Sequence, residues 1–245
     1  MWYAALLVLA VLVLAPPASI SVPQDEARRD RWQRPAEVLD ALGITVGSRV
    51  ADVGCGEGYF VLHLARRVGT SGVVYAVDID PEALATTRRK VERAGFPQVR
   101  LVLSREDDPR LPEDELDAVL IVNAYHEMHK HDAMLGGIFR ALKPGGRLAI
   151  IDGAGEEHED RTTLLRRHRM SRKLVREDAE RNGFRFREER PGFDRPGRNA
   201  RSFFFLIFEK PAKGVRTPTG TASHRISWLT SSLTPLSFRG VFLTF

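Results

Sequence analysis

The stretch VADVGCGEGYF, residues 50–60, leads from an apolar, strand-like run through a glycine turn into the start of a helix. Ligands of open α/β sheets bind outside the carboxyl ends of the strands, which is where such a turn lies. The glycines follow the spacing Gly-x-Gly-x-Gly from Gly54, whereas a dinucleotide loop reads Gly-x-Gly-x-x-Gly. Asp52 and Glu57 flank the turn, and their carboxylates would repel a pyrophosphate. The turn therefore suits a ligand bearing an ammonium and a sulfonium, and it disfavours a nicotinamide-dependent oxidoreductase.

A second apolar run, VYAVDID at residues 74–80, ends on acidic residues. Asp78 comes 24 residues after the first loop glycine, and a carboxylate at this place can accept both hydroxyls of a ribose. Asp80 stands directly before a proline and is predicted to cap the next helix. Ile79 lies between the two acids and can pack on the face of a base. The run therefore predicts the ribose side of a nucleoside site.

Strand-like and helix-like segments alternate through the middle of the chain. Short β-rich runs predict seven strands, at residues 49–53, 73–78, 99–103, 116–123, 147–152, 184–189 and 202–209. Longer stretches predict four helices, at residues 59–68, 81–94, 133–142 and 171–182. The link at residues 104–115 is too short for a full crossover helix. This alternation predicts an α/β fold, with a doubly wound, mostly parallel sheet and helices on both faces.

The first 22 residues differ from the rest because they carry no charged side chain. They contain an apolar run of 12 residues, 4–15, which has the length of a signal-peptide core and falls short of the ~20 residues of a full span. The basic residues lie after the run, within residues 28–34, and not before it as in a secretory signal. The segment is therefore predicted to be either a signal or a membrane anchor.

Charge and cysteine content exclude several classes of protein. Lys and Arg number 37 against 32 Asp and Glu, a net charge of +5 that a solvated Arg-rich surface explains without nucleic acid. The single cysteine, Cys55, rules out an intramolecular disulfide and a cysteine-rich metal site.

Four motifs together resemble one enzyme family. DVGCGEG at residues 52–58, AVDIDPE at 76–82 and LKPGGRL at 142–148 look like the first three landmarks of class I S-adenosylmethionine-dependent methyltransferases. LDAVLIVN at 116–123 resembles the fourth-strand motif of the family. The resemblance covers about residues 38–210, in the order and spacing of the family. It implies S-adenosylmethionine as cofactor, methyl transfer as the reaction, and a seven-stranded sheet whose last strand is antiparallel.

The resemblance also implies which residues hold the cofactor. They are Asp52, Gly54, Cys55, Gly56, Asp78, Ile79, Asp107 and Asn123. In the family arrangement Asp52 supports the amino group of the methionine part, Asp78 holds the ribose, and Asn123 lies beside the transferable methyl group. Three acids, at residues 106–108, compete for the place near adenine N6, and Asp107 is our choice.

The loop AYHEMHKH, residues 124–131, faces the substrate in this family. The sulfonium already activates the methyl group, so a base is needed only when the acceptor must lose a proton. His126 is the first candidate for the base or for orienting the substrate, followed by Tyr125 and Glu127; the alternative is that His126 only orders the loop. The spacing of the histidines is not His-Glu-x-x-His, because Lys130 stands where the second histidine would be, so no metal site is predicted.

The class of molecule that accepts the methyl group is inferred mainly by excluding other classes of methyltransferase. Cytosine C5 methylation needs a free cysteine nucleophile, and Cys55 belongs to the cofactor turn. Residues 123–126 lack the two prolines typical of amino-methylating nucleic-acid enzymes. A small-molecule or lipid-like acceptor is therefore predicted and nucleic acid is disfavoured. The alternatives are a non-catalytic cofactor-binding scaffold and an RNA methyltransferase, which salt-sensitive RNA binding would support.

These patterns divide the chain into four predicted parts. They are a hydrophobic signal or membrane anchor at residues 1–22, an N-terminal linker and cap helix at 23–48, the methyltransferase domain at 49–210 and a Ser/Thr/Pro-rich, disordered tail at 211–245. Because S-adenosylmethionine is made in the cytoplasm, we expect membrane association through residues 1–22 with the catalytic domain facing the cytoplasm. The alternative is export after signal cleavage. The oligomeric state is left open.

Overall fold

The computed structural model describes residues 24–193 and 202–212. The predicted signal or anchor at residues 1–22, and all but the first two residues of the predicted tail at 211–245, lie outside the described residues. Within the described ranges, no helix has both the length and the apolar character to cross a membrane.

Seven strands form a single sheet. They are β1 (Arg49–Val53), β2 (Val73–Asp78), β3 (Val99–Leu103), β4 (Leu116–Val122), β5 (Leu142–Gly153), β6 (Arg185–Glu189) and β7 (Phe203–Glu209). Their order is β3-β2-β1-β4-β5-β7-β6. The first five strands pair in parallel, and β7 is antiparallel to both β5 and β6. The predicted seven-stranded, mostly parallel sheet with an antiparallel last strand is confirmed.

Within residues 24–193 and 202–212, seven helices connect and flank these strands. They are α1 (Gln24–Gln33), α2 (Pro35–Ala41), α3 (Tyr59–Val68), α4 (Pro81–Ala94), α5 (His131–Ala141), α6 (Arg161–Arg166) and α7 (Arg172–Arg181). The cap predicted at the start of α4 is present, since Asp80 accepts a hydrogen bond from the Glu82 N–H at 2.8 Å. Residues 104–115 contain no helix, as predicted. A short 3₁₀ turn at Tyr125–Glu127 and α6 were not predicted.

Four of the seven predicted strands differ from the structure in at least one bound. The smallest differences are of one residue, since β5 ends at Gly153, β6 begins at Arg185 and β7 begins at Phe203. β5 begins at Leu142 rather than at residue 147, because Leu142 pairs with Leu116 across an irregularity of the ladder. The Gly145 N–H also donates to the Lys210 carbonyl at 2.8 Å, which holds this stretch in extended form. β4 ends one residue early, because Asn123 adopts a left-handed backbone with φ 52°.

The sheet divides the core into two layers, and β7 shows why six of its seven residues are apolar. All seven of its residues are buried. Residues 203, 205 and 207 pack in the layer on one face, and residues 204, 206 and 208 pack in the layer on the other. A strand covered on both faces has no polar side to show, which accounts for the run FFFLIF. Burying each of these side chains contributes about 1.5–3 kcal/mol before the entropic cost of ordering.

Candidate active site

A cavity of about 740 Å³ lies at the carboxyl ends of β1, β2 and β4. The strand order reverses at this point, since β1 stands between β2 and β4, and open α/β sheets bind their ligands there. Most of the wall comes from the segments that follow the strands, at residues 53–57, 78–80, 104–106, 122–124 and 127–129. Arg29 of α1 also lines the cavity. The size suits an adenosyl ligand together with a small second substrate.

The glycine turn after β1 is fitted between two neighbouring segments. The N–H groups of Gly54 and Cys55 both donate to the Val77 carbonyl, at 2.8 and 3.0 Å, so the turn is fastened to β2. Gly54 has φ +73°, and a Cβ added there would lie 2.4 Å from the Cβ of Ala124. The turn is therefore clamped between the end of β2 and the loop after β4, at a distance that only glycine allows.

The carboxylate of Asp78 joins the glycine turn to the end of β2. Its Oδ2 accepts the Gly56 N–H at 2.7 Å, and its Oδ1 accepts the Asp80 N–H at 2.9 Å. Each carboxylate oxygen keeps a further lone pair for a ligand hydroxyl. Asp78 lines the cavity together with Ile79, whose side chain is 54% exposed. This end of the cavity can therefore hold a ribose next to an apolar surface for a base.

The opposite end of the cavity is formed by the loop after β4. The Asn123 N–H donates to the Ile151 carbonyl of β5 at 2.7 Å, and the side chains of Glu127 and Met128 line the cavity. His126 is 4% exposed, and its Nδ1 lies 2.8 Å from Oδ1 of the fully buried Asp152. The Asp152 Oδ2 also accepts the His126 backbone N–H at 3.0 Å. This pairing fixes the imidazole, with Nε2 3.5 Å from the Glu127 carboxylate.

Comparison with known proteins decides the family. A model of a methyltransferase domain matches residues 50–146. The chain superposes on a SAM-dependent methyltransferase of Aquifex aeolicus with a TM-score of 0.65 and 26% identity, over 76% of this chain and 95% of that one. Residues 50–146 therefore form a domain of the class I S-adenosylmethionine-dependent methyltransferase family. This domain is that of an enzyme, and the cofactor of the domain is S-adenosylmethionine.

Curated relatives of this methyltransferase differ in what their names say they do. It is 32% identical over 122 residues to the ubiquinone/menaquinone biosynthesis C-methyltransferase UbiE of Pasteurella multocida, over 49% of this chain and 45% of the relative. It is also 32% identical over 120 residues to an S-adenosyl-L-methionine-dependent Diels-Alderase of Talaromyces variabilis, over 47% of this chain and 40% of the relative. The chain thus spans less than half the length of these two relatives.

Most of the predicted cofactor residues of the methyltransferase line the cavity. They are Gly54, Cys55, Gly56, Asp78, Ile79 and Asn123. Asp107 is not among the lining residues, whereas Glu106 is. The reason is a tight turn in which the Arg105 N–H donates to the Asp108 carbonyl at 2.9 Å, leaving Glu106 at the cavity wall. Glu106 is therefore the acid of this turn that stands at the cavity wall, and the role of Asp107 near adenine stays a prediction.

Asp52 lies beneath the glycine turn and not at the cavity wall. Its side chain is 2% exposed, and this burial raises its pKa to about 7, with Arg29 opposing the shift and Asp78 adding to it. Its predicted contact with the amino group of the methionine part stays a prediction. Burial likewise raises the pKa of the Cys55 thiol far above its usual range, so this thiol is not a nucleophile at neutral pH.

Tyr125 does not reach the cavity, although the sequence made it a candidate for catalysis. Its side chain is fully buried, and its hydroxyl donates to Asp178 Oδ2 at 2.8 Å. Burial raises the pKa of the phenol well above its usual range, and the charge of Asp178 adds to the effect. Arg161 and Arg181 also donate to Asp178. The phenol therefore anchors the loop to α7 and is not placed to act on a substrate.

Two residues near His126, Asp152 and His168, were not predicted to belong to the site. Asp152 was predicted only as the end of a strand, although an acid at the carboxyl end of the strand next to β4 is itself a signal of a site residue. His168 belongs to none of the motifs of the sequence. The structure places its ring 5.3 Å from the His126 ring, at 90° to it.

Replacing Gly54 by alanine is expected to destabilise the protein strongly. The added methyl would meet the Cβ of Ala124 at 2.4 Å, and the positive φ adds backbone strain. Overpacking of this kind costs about 1–3 kcal/mol and a left-handed non-glycine residue about 1–2 kcal/mol. Gly95→Ala is the matched control, because Gly95 has φ +70° and no atom within 4 Å of an added Cβ. Urea denaturation should show the larger loss for Gly54→Ala and partial recovery in Gly54→Ala/Ala124→Gly; equal losses in the two single variants would contradict the clamp.

The buried Asp52 should make stability depend on pH. Its carboxyl ionises near pH 3.8 when unfolded and near pH 7 when folded, so between these values the folded chain keeps a proton that the unfolded chain has lost. Raising the pH through this range therefore lowers the free energy of unfolding, by up to about 1.4 kcal/mol per pH unit from this group. The stability of the wild type minus that of Asp52→Asn should fall from pH 5 to pH 7 and then level off. Glu57→Gln, at an exposed acid of the same turn, should show no such trend, and a pH-independent Asp52→Asn difference would refute the assignment.

Proposed function

We propose that the chain transfers the methyl group of S-adenosylmethionine to a small, lipid-like acceptor with an acidic hydroxyl, of the hydroquinone or phenol class. One observation carries the proposal. A single cavity joins the nucleoside end, at Asp78, to a second end where Glu127 stands 3.5 Å from the imidazole of His126. The second end therefore has a carboxylate at its wall and a buried imidazole directly behind that carboxylate, and these are the groups that take a proton from a hydroxyl.

The apolar lining of the acceptor end supports a lipid-like acceptor. Val122, Met128 and Met134 line it, and methionine side chains adapt their shape to varied apolar ligands. The UbiE relative is named for a C-methyltransferase of ubiquinone and menaquinone biosynthesis, which is chemistry on a lipid-linked ring. We propose the same class of acceptor here, presented at a membrane that residues 1–22 reach while the catalytic domain faces the cytoplasm.

The catalytic steps assigned to this chain are alignment and proton removal. The glycine turn and Asp78 hold the cofactor so that its methyl group faces the acceptor, in line with the carbon–sulfur bond. Asp152 holds the His126 imidazole in one orientation, and the His126–Glu127 pair accepts the hydroxyl proton. Bound S-adenosylmethionine would supply the methyl group, which would bond to the ionised oxygen as the carbon–sulfur bond breaks, leaving S-adenosylhomocysteine. Transfer to the ring carbon beside that oxygen would be followed by loss of the proton on that carbon.

The test is a radiochemical assay of the full chain. Methyl-labelled S-adenosylmethionine is incubated with a phenol, with a hydroquinone and with a hydroquinone carrying a short isoprenoid tail, each with and without lipid vesicles. The tailed hydroquinone should give the highest rate of product formation, and vesicles should increase that rate. Methylation of RNA alone would overturn the proposal. Tight cofactor binding without S-adenosylhomocysteine formation on any acceptor would favour the non-catalytic alternative, or a role like that named for the Diels-Alderase relative.

A further inference from the structure

Three side chains beside the acceptor end of the cavity converge on one point. His126, Glu127 and His168 each offer one nitrogen or oxygen atom, and the three atoms lie within 4.8 Å of one another. Two of them come from the loop after β4, and the third comes from the segment between α6 and α7. The spacing of histidines within one loop does not reveal this set, because His168 is 42 residues beyond His126.

The imidazole of His126 is held in the way that metal-binding histidines are held. Its Nδ1 lies 2.8 Å from the buried Asp152 carboxylate, which can only accept a hydrogen bond, so Nδ1 carries the proton. In the neutral ring, which is the form that binds metal ions, Nε2 then carries the lone pair, and this atom stands 3.5 Å from Glu127. Metal-ligating histidines in proteins commonly donate their other N–H to a carboxylate, which sets their orientation and strengthens the ligand.

The backbone of His168 is held in an unfavourable conformation that brings its ring to this place. His168 has φ 52°, a left-handed conformation that non-glycine residues adopt at a cost. Hydrogen bonds fasten the segment to the end of β5, since the Met170 N–H donates to the Gly153 carbonyl at 2.9 Å. The strand that supplies Asp152 therefore also positions His168.

We propose that His126, Glu127 and His168 bind a divalent transition-metal ion, with a fourth position open towards the cavity. Two imidazoles and one carboxylate form a known ligand set for zinc, and nitrogen ligands favour zinc or cobalt over magnesium or calcium. Tetrahedral ligation at about 2.0–2.1 Å would separate the ligand atoms by about 3.4 Å. The exposed side chains of Glu127 and His168 can close the remaining distance by rotation.

A bound ion would ionise the hydroxyl in place of the imidazole, because ligation uses the Nε2 lone pair with which His126 otherwise accepts the proton. A divalent ion stabilises an oxygen that has lost its proton, and Glu127 lines the cavity beside the point where that oxygen would bind. This role rests on the proposed function. The binding of the ion does not, because it depends only on the three ligands and Asp152.

Metal titration of the full chain tests the proposal. After treatment with a chelator, Zn²⁺ and Co²⁺ are titrated separately by calorimetry, and Co²⁺ is also followed by visible absorption. We expect one ion per chain, with binding at least 10-fold weaker in His168→Ala and 10- to 100-fold weaker in Asp152→Asn. His129→Ala is the matched control, because His129 belongs to the same loop but not to the cluster, and it should bind as the wild type does.

Absence of binding by the wild type would overturn the proposal, and so would equal binding by wild type and His168→Ala. Retained affinity for S-adenosylhomocysteine shows that each variant is folded. Turnover with the hydroquinones is measured in parallel, so that the two proposals fail separately. Metal binding without turnover would contradict the proposed function alone, and turnover without metal binding would contradict the metal site alone.

Discussion

Replacing Asp78 by alanine should weaken the binding of S-adenosylmethionine by about 100-fold. The carboxylate lies at the cavity wall, where it accepts the Gly56 and Asp80 N–H groups at 2.7 and 2.9 Å and keeps lone pairs for two ribose hydroxyls. Hydrogen bonds to a charged group contribute about 1.5–3 kcal/mol each, and about 2.8 kcal/mol corresponds to 100-fold in the dissociation constant. Calorimetric titration of S-adenosylmethionine and S-adenosylhomocysteine into the full chain measures the effect.

A second variant separates ligand contact from support of the turn. Asp78→Asn keeps one oxygen for the Gly56 N–H but loses the charge, so we expect an intermediate loss of about 10-fold. Glu57→Gln, at an exposed acid of the same turn, should change the affinity by less than either. If Asp78→Ala bound the cofactor as tightly as the wild type, the nucleoside would not be held at the end of β2.

Replacing His126 by asparagine should lower the rate of methyl transfer by about 100-fold or more and leave cofactor affinity nearly unchanged. The imidazole stands beside the acceptor end of the cavity and far from the ribose end, and a positioned general base contributes about 10²–10⁴ to the rate. The measurement is the initial rate of S-adenosylhomocysteine formation with the hydroquinone acceptors, next to a calorimetric dissociation constant.

Two further variants show whether the loss of rate in His126→Asn comes from the loss of this imidazole. His158→Asn is the control, because His158 is exposed and lies outside the cavity wall. Asp152 acts through His126 and is a positioning residue, so Asp152→Asn should lower the rate less than His126→Asn and also change the pH profile of turnover. An unchanged rate in His126→Asn would leave the histidine with the role of ordering the loop.

The sequence predicted those parts of the fold that depend on neighbouring residues. The bounds of β1, β2, β3, α3 and α4 match the structure, because turn residues or a cap mark where each begins or ends. The early start of β5 was missed, because it depends on pairing with Leu116, a partner distant in the chain. The short α6 was missed as well, since six residues are too few for a helical period to emerge.

The same distinction, between features set by neighbouring residues and features set by distant ones, separates the site residues that were predictable from those that were not. Gly54 and Asn123 directly follow parallel strands, and Asp78 is the last residue of one. Because the ends of parallel strands meet at one edge of the sheet, the convergence of these residues was predictable. The sequence could not show which of Tyr125 and His126 stands beside the cavity, because the answer depends on burial of the phenol against Asp178 of α7. The approach of His168 to His126 also depends on packing between distant segments.

The contact between the glycine turn and Ala124 limits how this protein can acquire new substrates. Since only a hydrogen and a methyl group fit between the two segments, a larger residue at position 124 would push the cofactor out of place while it reshaped the acceptor end. Met128 and His129 line the cavity beyond that contact. Natural divergence and laboratory libraries should therefore change acceptor preference through positions 128 and 129, with 54 and 124 altering only as a pair.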